Sequence, residues 1–168
     1  MRSRFLPEGR LLHTPENEAA CASRDGLRRA MEEETVLEGG AQLCDGAHNL
    51  LVSVGPFTGF LPREEAALGI AEGTTREIAI LSRVGKPVCF QITALEESEG
   101  VLRPRLSRRR AQQAALDAML AGLHPGCILP AVVTHLESFG AFVDIGCGVP
   151  SLIGIENISV SRIPHPDQ

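Results

Sequence analysis

Short runs of apolar and polar residues, separated by glycine-rich turns, fill the middle of this 168-residue chain. Runs of this kind predict β-strands, and Asp45-Gly46 and Ser98-Glu99-Gly100 are typical of the turns between strands. The strands are predicted at residues 36–38, 49–55, 57–62, 78–81, 86–95 and 101–102. Short strands without long helices between them indicate a small antiparallel barrel, because a barrel closes its own sheet edges.

Helical spacing appears on both sides of this region. Thr14 followed by Pro15 is typical of a helix N-terminus, and a second short helix is predicted to begin at Asp25. Ser107 is the predicted N-cap of a linker helix that ends before Gly122. Its apolar face is predicted to contain Ala111, Ala114, Ala115, Ala118 and Met119.

After Gly126 the strand pattern begins again, so the chain contains an internal repeat. Residues 128–133 align with residues 36–41, and residues 142–146 align with residues 51–55. The predicted units are an N-terminal helical extension (1–34), a first barrel (35–103), a basic linker with a helix (104–125) and a second, incomplete repeat (126–168).

Both copies resemble one known family. In the second copy, Phe139-Gly140-Ala141-Phe142-Val143 resembles the F-G-A-F-V hallmark of the RNA-binding repeat of the bacterial ribosomal protein S-one family. The first copy is similar to the degenerate leading repeat of a Gram-positive-type homologue, through His48-Asn49-Leu50-Leu51-Val52 and Gly59-Phe60-Leu61-Pro62-Arg63. The resemblance covers residues 5–168 and implies oligonucleotide-binding (OB) barrels that contact messenger RNA at or near the small ribosomal subunit.

The second copy departs from the family pattern in two ways. Aligning Leu152-Ile153 places Gly154 where the typical repeat has a histidine that helps to hold RNA. The chain also ends at Gln168 before the unit is complete, so we expect a fragment or a truncated reading frame whose second barrel cannot close. The expected fold is mainly β: a five-stranded antiparallel OB-type barrel, a second incomplete OB barrel, and short N-terminal and linker helices.

The two phenylalanines of the second copy are the main candidates for RNA contact. Strict strand alternation would place Phe139 and Phe142 on opposite faces, but a bulge at Gly140 would let both rings point outward. Exposed rings can stack bases, at about 1 to 3 kcal/mol per base. The alternatives are that one or both rings lie in the barrel core and that His135 is structural. The predicted RNA-binding residues are Phe139, Phe142, His135, Arg103, Arg105, Arg108, Arg109 and Arg110.

Charge is spread unevenly along the chain, whose net charge is −5. Residues 102–125 contain five arginines and one acid, whereas residues 35–101 contain four basic and nine acidic side chains. The arginines are predicted to attract the RNA backbone, unless they form a solvated linker offset by nearby glutamates. The acidic first copy has His48 and Leu51 where the second has its phenylalanines, so it is alternatively a module that docks on a ribosomal or regulatory protein.

Other function classes find no support in the sequence. The five cysteines are odd in number and form no C-x-x-C pair, which argues against a zinc site or a disulfide framework. The five histidines fall in separate elements without a nucleophile motif, and no phosphate-loop pattern is present. We therefore expect no enzyme, cofactor, metal, membrane span or small-molecule substrate. The expected partners are single-stranded RNA and small-subunit ribosomal proteins in the cytoplasm.

Overall fold

Within residues 5–168, which the computed structural model describes, the chain forms a closed barrel and a separate three-stranded sheet. The start of the predicted N-terminal extension, residues 1–4, lies outside the described residues. The barrel strands are β1 (Leu37–Cys44), β2 (Leu50–Val54), β3 (Phe57–Leu61), β4 (Pro87–Ser98) and β5 (Val101–Ser107). The second sheet contains β6 (Val132–Glu137), β7 (Gly140–Asp144) and β8 (Pro150–Gly154).

Four α-helices accompany the strands in the described part of the chain: α1 (Pro15–Cys21), α2 (Arg24–Glu32), α3 (Ile78–Leu81) and α4 (Arg108–Gly122). The Thr14 hydroxyl accepts a hydrogen bond from the Asn17 amide, and the Ser107 hydroxyl accepts one from the Arg110 amide. The predicted N-terminal helices and linker helix are thus confirmed, together with the N-caps at Thr14 and Ser107. Among residues 5–168, the helices are too short or too polar to cross a membrane.

The barrel has the strand order β1-β2-β3-β5-β4 and confirms the expected five-stranded OB-type unit. Its neighbours are antiparallel except for β3 and β5, which run parallel and meet at Phe60 and Arg105. The prediction of an antiparallel barrel is therefore wrong for this one pair of strands. The reason is geometric, because alternating directions around a closed ring of five strands must leave one neighbouring pair parallel.

Alternation along the strands supplies the barrel core. Leu50, Val52 and Val54 of β2 point inward and have no exposed surface. Leu27 of α2 is also fully buried and belongs to the same apolar cluster, so the N-terminal helices pack on the barrel. Burial of this continuous cluster is the main source of stability for such a small unit.

Two predictions in this region are wrong. Residues 78–81, predicted as a strand, form the short helix α3 in the connection between β3 and β4. An apolar run of this length is compatible with either a strand or a helix, and only Ile80 of the four residues is buried. In addition, β5 continues to Ser107, so the predicted domain boundary at residue 103 falls inside a barrel strand.

The register of the second sheet matches that of the barrel and confirms the internal repeat. Ala41 pairs with Val52 in the barrel, and Val133 pairs with Val143 in the second sheet. Each first strand then has a register shift at the same place, between Ala41 and Leu43 and again between Val133 and His135. The two copies therefore share strand pairing and a β-bulge as well as sequence pattern.

The segment before α1 connects the two units, and we call residues 5–12 the strap. On the barrel side, the Glu38 carboxylate accepts hydrogen bonds from the amides of Gly9, Leu11 and Leu12 at 2.9, 3.2 and 2.9 Å. Burial raises the pKa of Glu38 to about 7, although these three hydrogen bonds oppose the rise. On the other side, the Leu6 carbonyl accepts from the Cys147 amide at 2.9 Å, beyond the end of β7.

Glu8 is the central residue of the strap. Its carboxylate accepts two hydrogen bonds from the Arg108 guanidinium, at 2.9 and 2.5 Å, and a third from the Cys89 amide at 2.9 Å. Its amide donates to the Asp144 carboxylate at 2.8 Å. The Glu8 and Arg108 side chains are only 3% and 6% exposed. Strap, barrel, linker helix and second sheet thus meet at one buried ion pair.

Candidate nucleic-acid interface

Three aromatic rings lie together on the surface of the second sheet. The Phe139 and Phe142 ring centroids are 6.1 Å apart with an edge-to-face geometry. The His135 and Phe142 centroids are 6.3 Å apart with an interplanar angle of 26°. Phe139 is 53% exposed, the His135 side chain is 62% exposed, and Phe142 is half-buried between them. We call these three residues the ring cluster.

Phe139 and Phe142 lie on the same side of the second sheet, but the cause is not the bulge at Gly140 that the sequence suggested. Phe139 lies in the turn before β7 begins at Gly140, so strand alternation does not apply to it. The bulge is in β6, between Val133 and His135, and not at Gly140.

Gly140 has a different role. A Cβ atom at this position would lie 2.3 Å from the Ile153 carbonyl oxygen, so the glycine permits close approach of β8. The Phe139 carbonyl accepts a hydrogen bond from the Ile155 amide at 2.9 Å, which fixes the backbone next to the ring. The backbone that carries the Phe139 side chain is therefore held by this hydrogen bond and by the close approach of β8.

Two members of the ring cluster, His135 and Phe142, belong to a row of outward-facing residues that crosses the second sheet. His135 pairs with Phe142, and Phe142 pairs with Leu152, which is 48% exposed. The His135 Nε2 atom lies 2.6 Å from a Glu137 carboxylate oxygen, so this edge of the ring is engaged while its faces stay available. Flat, exposed rings beside an aliphatic side chain form the kind of surface on which bases stack.

The five predicted arginines do not form one group. Arg103 and Arg105 lie on β5 of the barrel, and Arg105 contacts a Glu96 carboxylate oxygen at 3.4 Å. Arg109 is half-buried and pairs with Glu72, whereas Arg110 is exposed in the first turn of α4.

Arg108 does not have its predicted role as a phosphate contact. Its guanidinium is buried against Glu8 and also donates to the Ala66 carbonyl at 3.1 Å. Burial alone would lower the pKa of Arg108, but the Glu8 carboxylate raises it above its ordinary value, so the group remains charged and paired. Arg108 therefore stabilises the junction between the units, and the RNA-binding surface proposed below omits it.

The barrel carries a matching outer row that the sequence analysis missed. Leu43 pairs with Leu51, Leu51 pairs with Phe60, and Phe60 pairs with Arg105. We call these four residues the barrel row. The Arg105 guanidinium lies 5.6 Å from the Phe60 ring centroid, within cation–π range. Extending the repeat alignment to β3 and β8 would have shown that Phe60 corresponds to Leu152.

His48, which corresponds to Phe139 in the alignment, is part of a polar cluster. Its Nδ1 atom lies 2.8 Å from Oε2 of Glu77. Oε1 of Glu77 accepts a hydrogen bond from Arg63 Nε at 2.7 Å and lies 2.6 Å from Arg63 Nη2. The hydrogen bond from Arg63 lowers the pKa of Glu77, so the carboxylate is charged at neutral pH. At the position where the second sheet has the exposed Phe139 ring, the barrel therefore has the cluster of His48, Glu77 and Arg63.

Comparison with known proteins gives a consistent set of relatives. Small ribosomal subunit protein bS1 of Neisseria meningitidis is 26% identical over 148 residues, which are 84% of this chain and 24% of that protein. The bS1 protein of Pseudomonas aeruginosa is 34% identical over 86 residues, covering 50% of this chain and 15% of that protein. The bS1 protein of Rickettsia typhi is 32% identical over 81 residues, covering 47% and 14%. No protein-family model matches the chain.

Among solved structures, the solution structure of GSP13 from Bacillus subtilis aligns with a TM-score of 0.34 and 19% identity, covering 58% of this chain and 64% of that one. This likeness is too weak to support an argument. The chain spans about a quarter or less of the length of the bS1 relatives named above. The Gram-positive type and the truncation therefore stay predictions. The relatives nevertheless agree in name, and their partial matches support an S1-type family for this chain.

Proposed function

We propose that this chain binds single-stranded RNA, messenger RNA above all, at or near the small ribosomal subunit in the cytoplasm. The observation that carries the proposal is the exposed ring cluster of His135, Phe139 and Phe142. Stacking on such rings is tolerant of sequence, because every base has a π face. The names of the bS1 relatives support a role in translation, and small-subunit ribosomal proteins are the proposed protein partners.

The net charge of the chain is −5, so RNA binding needs local positive charge to attract the phosphates in addition to base stacking. Arg103 and Arg110 are exposed, and the carboxylate that contacts Arg105 belongs to the exposed Glu96, so these three guanidinium groups can exchange carboxylate or water for phosphate. Arg108 is excluded because it is buried. The proposed surface therefore combines the ring cluster with three arginines that lie on β5 and at the start of α4.

Binding of RNA should weaken as salt increases. Each phosphate contact with a single strand contributes about 0.7 to the slope of log affinity against log salt, so three arginines predict a slope of about 2. The measurement is a fluorescence-anisotropy titration of labelled single-stranded RNA at several salt concentrations. Arg110→Ala should reduce the slope by about 0.7. Arg10→Ala, which removes an exposed arginine of the strap, is the matched control and should leave the slope unchanged.

The competing hypothesis is that the acidic barrel docks on a ribosomal or regulatory protein and that the chain has little RNA affinity. It predicts no measurable RNA binding even at low salt, where contacts between arginines and phosphates would be strongest. Absence of binding by the wild-type chain would therefore reject the proposed function. A slope near zero, or one that Arg110→Ala and Arg10→Ala change equally, would reject the arginines as phosphate contacts.

A further inference from the structure

Residues 128–134, which lead into β6 and form its first half, have a free backbone edge, and we call them the edge segment. Residues 128–133 align with residues 36–41 of the barrel, where β1 pairs antiparallel with β4 from Leu37 to Gly40. Among residues 5–168, β6 pairs with β7 on one side, and no strand lies along its other side. The edge that β4 covers in the barrel is therefore open in the second sheet.

The open edge leaves apolar side chains in water. In the barrel, Leu37 and Ala41 point into the core and are each 2% exposed. Val133, which aligns with Ala41, is 58% exposed, and Ile128 at the start of the edge segment is 91% exposed. A strand laid along this edge would cover apolar surface and also pair the free backbone groups.

We propose that the edge segment pairs, antiparallel and edge to edge, with the edge segment of a second copy of this chain. Its seven residues, Ile128-Leu129-Pro130-Ala131-Val132-Val133-Thr134, include no charged side chain. Charged residues are what usually keep free edges apart, so two copies of this edge do not repel each other. Pairing of a segment with itself closes around a two-fold axis, which gives a dimer. The inference goes beyond the proposed function and does not depend on RNA binding.

The barrel also indicates the register of this pairing. The Ala41 amide and carbonyl point away from β2 and bond to the chain before β4, at 3.0 and 2.8 Å. By the same alternation, the amides and carbonyls of Leu129, Ala131 and Val133 point to the open edge. Pro130, which has no N–H, lies between them and does not block the pairing. A two-fold axis at Ala131 then places Leu129 beside Val133 of the second copy, and Val133 beside its Leu129.

The test is sedimentation velocity of the full chain at concentrations from about 1 to 100 μM, without RNA. Wild type should form a dimer as the concentration rises. Ala131→Lys places two ammonium groups opposite each other at the axis, and it should weaken the dimer by about tenfold or more. Ala131 is exposed, so the fold should tolerate the change, which circular dichroism verifies. Ala47→Lys, at an exposed alanine in the turn between β1 and β2, is the matched control and should dimerise like wild type.

A pair of opposite charges tests the register itself. Ala131→Glu should also weaken the dimer when it is alone, but an equimolar mixture of Ala131→Lys and Ala131→Glu should restore it, because opposite charges then face each other across the axis. A wild-type chain that stays monomeric over this range would overturn the inference and leave the edge to a strand from another protein. Dimerisation of Ala131→Lys as strong as that of wild type, or a mixture that stays monomeric, would overturn pairing at Ala131.

Discussion

Replacing Glu8 with alanine should lower the free energy of unfolding by about 3 to 5 kcal/mol, because it leaves a buried guanidinium without its carboxylate. The Cys89 amide would lose its acceptor as well. Urea unfolding followed by circular dichroism measures the change. Glu32→Ala, which removes an exposed acid at the end of α2, is the matched control and should change stability by less than about 0.5 kcal/mol.

The effect should depend on pH in a defined direction. Burial raises the pKa of Glu8, but Arg108 and then Arg83 lower it, and the result lies below the ordinary value of 4.5. The pair therefore stabilises the fold fully above the pKa of the unfolded carboxyl, and this stabilisation is lost as the pH falls through the lower pKa of the folded state. Wild type and Glu8→Ala should thus converge in stability in acid.

A double variant separates the cost of an unpaired charge from loss of packing. Glu8→Leu/Arg108→Met replaces the pair with apolar side chains and should be far less destabilised than Glu8→Ala, because neither charge is left buried alone. If Glu8→Ala is as stable as Glu32→Ala, the strap does not hold the units together as described. If the double variant is as unstable as Glu8→Ala, the ion pair itself is essential.

Replacing both phenylalanines of the ring cluster should weaken RNA binding by about tenfold or more, since each stacked base is worth about 1 to 3 kcal/mol. The comparison is an anisotropy titration of labelled single-stranded RNA with wild type and Phe139→Ala/Phe142→Ala. Phe139 is 53% exposed and Phe142 is half-buried, so the fold should tolerate the change, which circular dichroism verifies. Equal affinities would reject the ring cluster as the RNA site.

A matched control is available on the linker helix. Leu120 of α4 is 74% exposed and apolar but has no π face. Leu120→Ala should leave RNA affinity within about twofold of wild type. A similar loss of affinity in Leu120→Ala and in the double variant would indicate general damage to the surface instead of lost stacking.

Local signals predicted much of the fold. Thr14 and Ser107 are N-caps of the kind that helices require, and both begin the helices expected from them. The alignment of residues 128–133 with residues 36–41 holds in three dimensions, because both first strands share the bulge and the pairing that follows it. These features depend on neighbouring residues or on the repeat itself, which a sequence displays directly.

Contacts between distant segments could not be predicted in the same way. Glu8 and Arg108 are separated by 100 positions, and nothing near either residue marks the other as its partner. Arg108 therefore looked like one of three equivalent arginines, although its neighbour Arg110 is exposed. The stacking of Arg105 on Phe60 was missed for the same reason, since it depends on the parallel seam that closes the barrel.

Ultraviolet crosslinking of the wild-type chain to single-stranded RNA tests the central claim most directly, because only side chains in contact with a base form the bond. Crosslinked residues are identified by peptide mass spectrometry. The account predicts crosslinks at Phe139 or Phe142, at the exposed rings beside β7. Crosslinks confined to other segments, or none under conditions where RNA is bound, would contradict the assignment of the RNA-binding surface to the ring cluster.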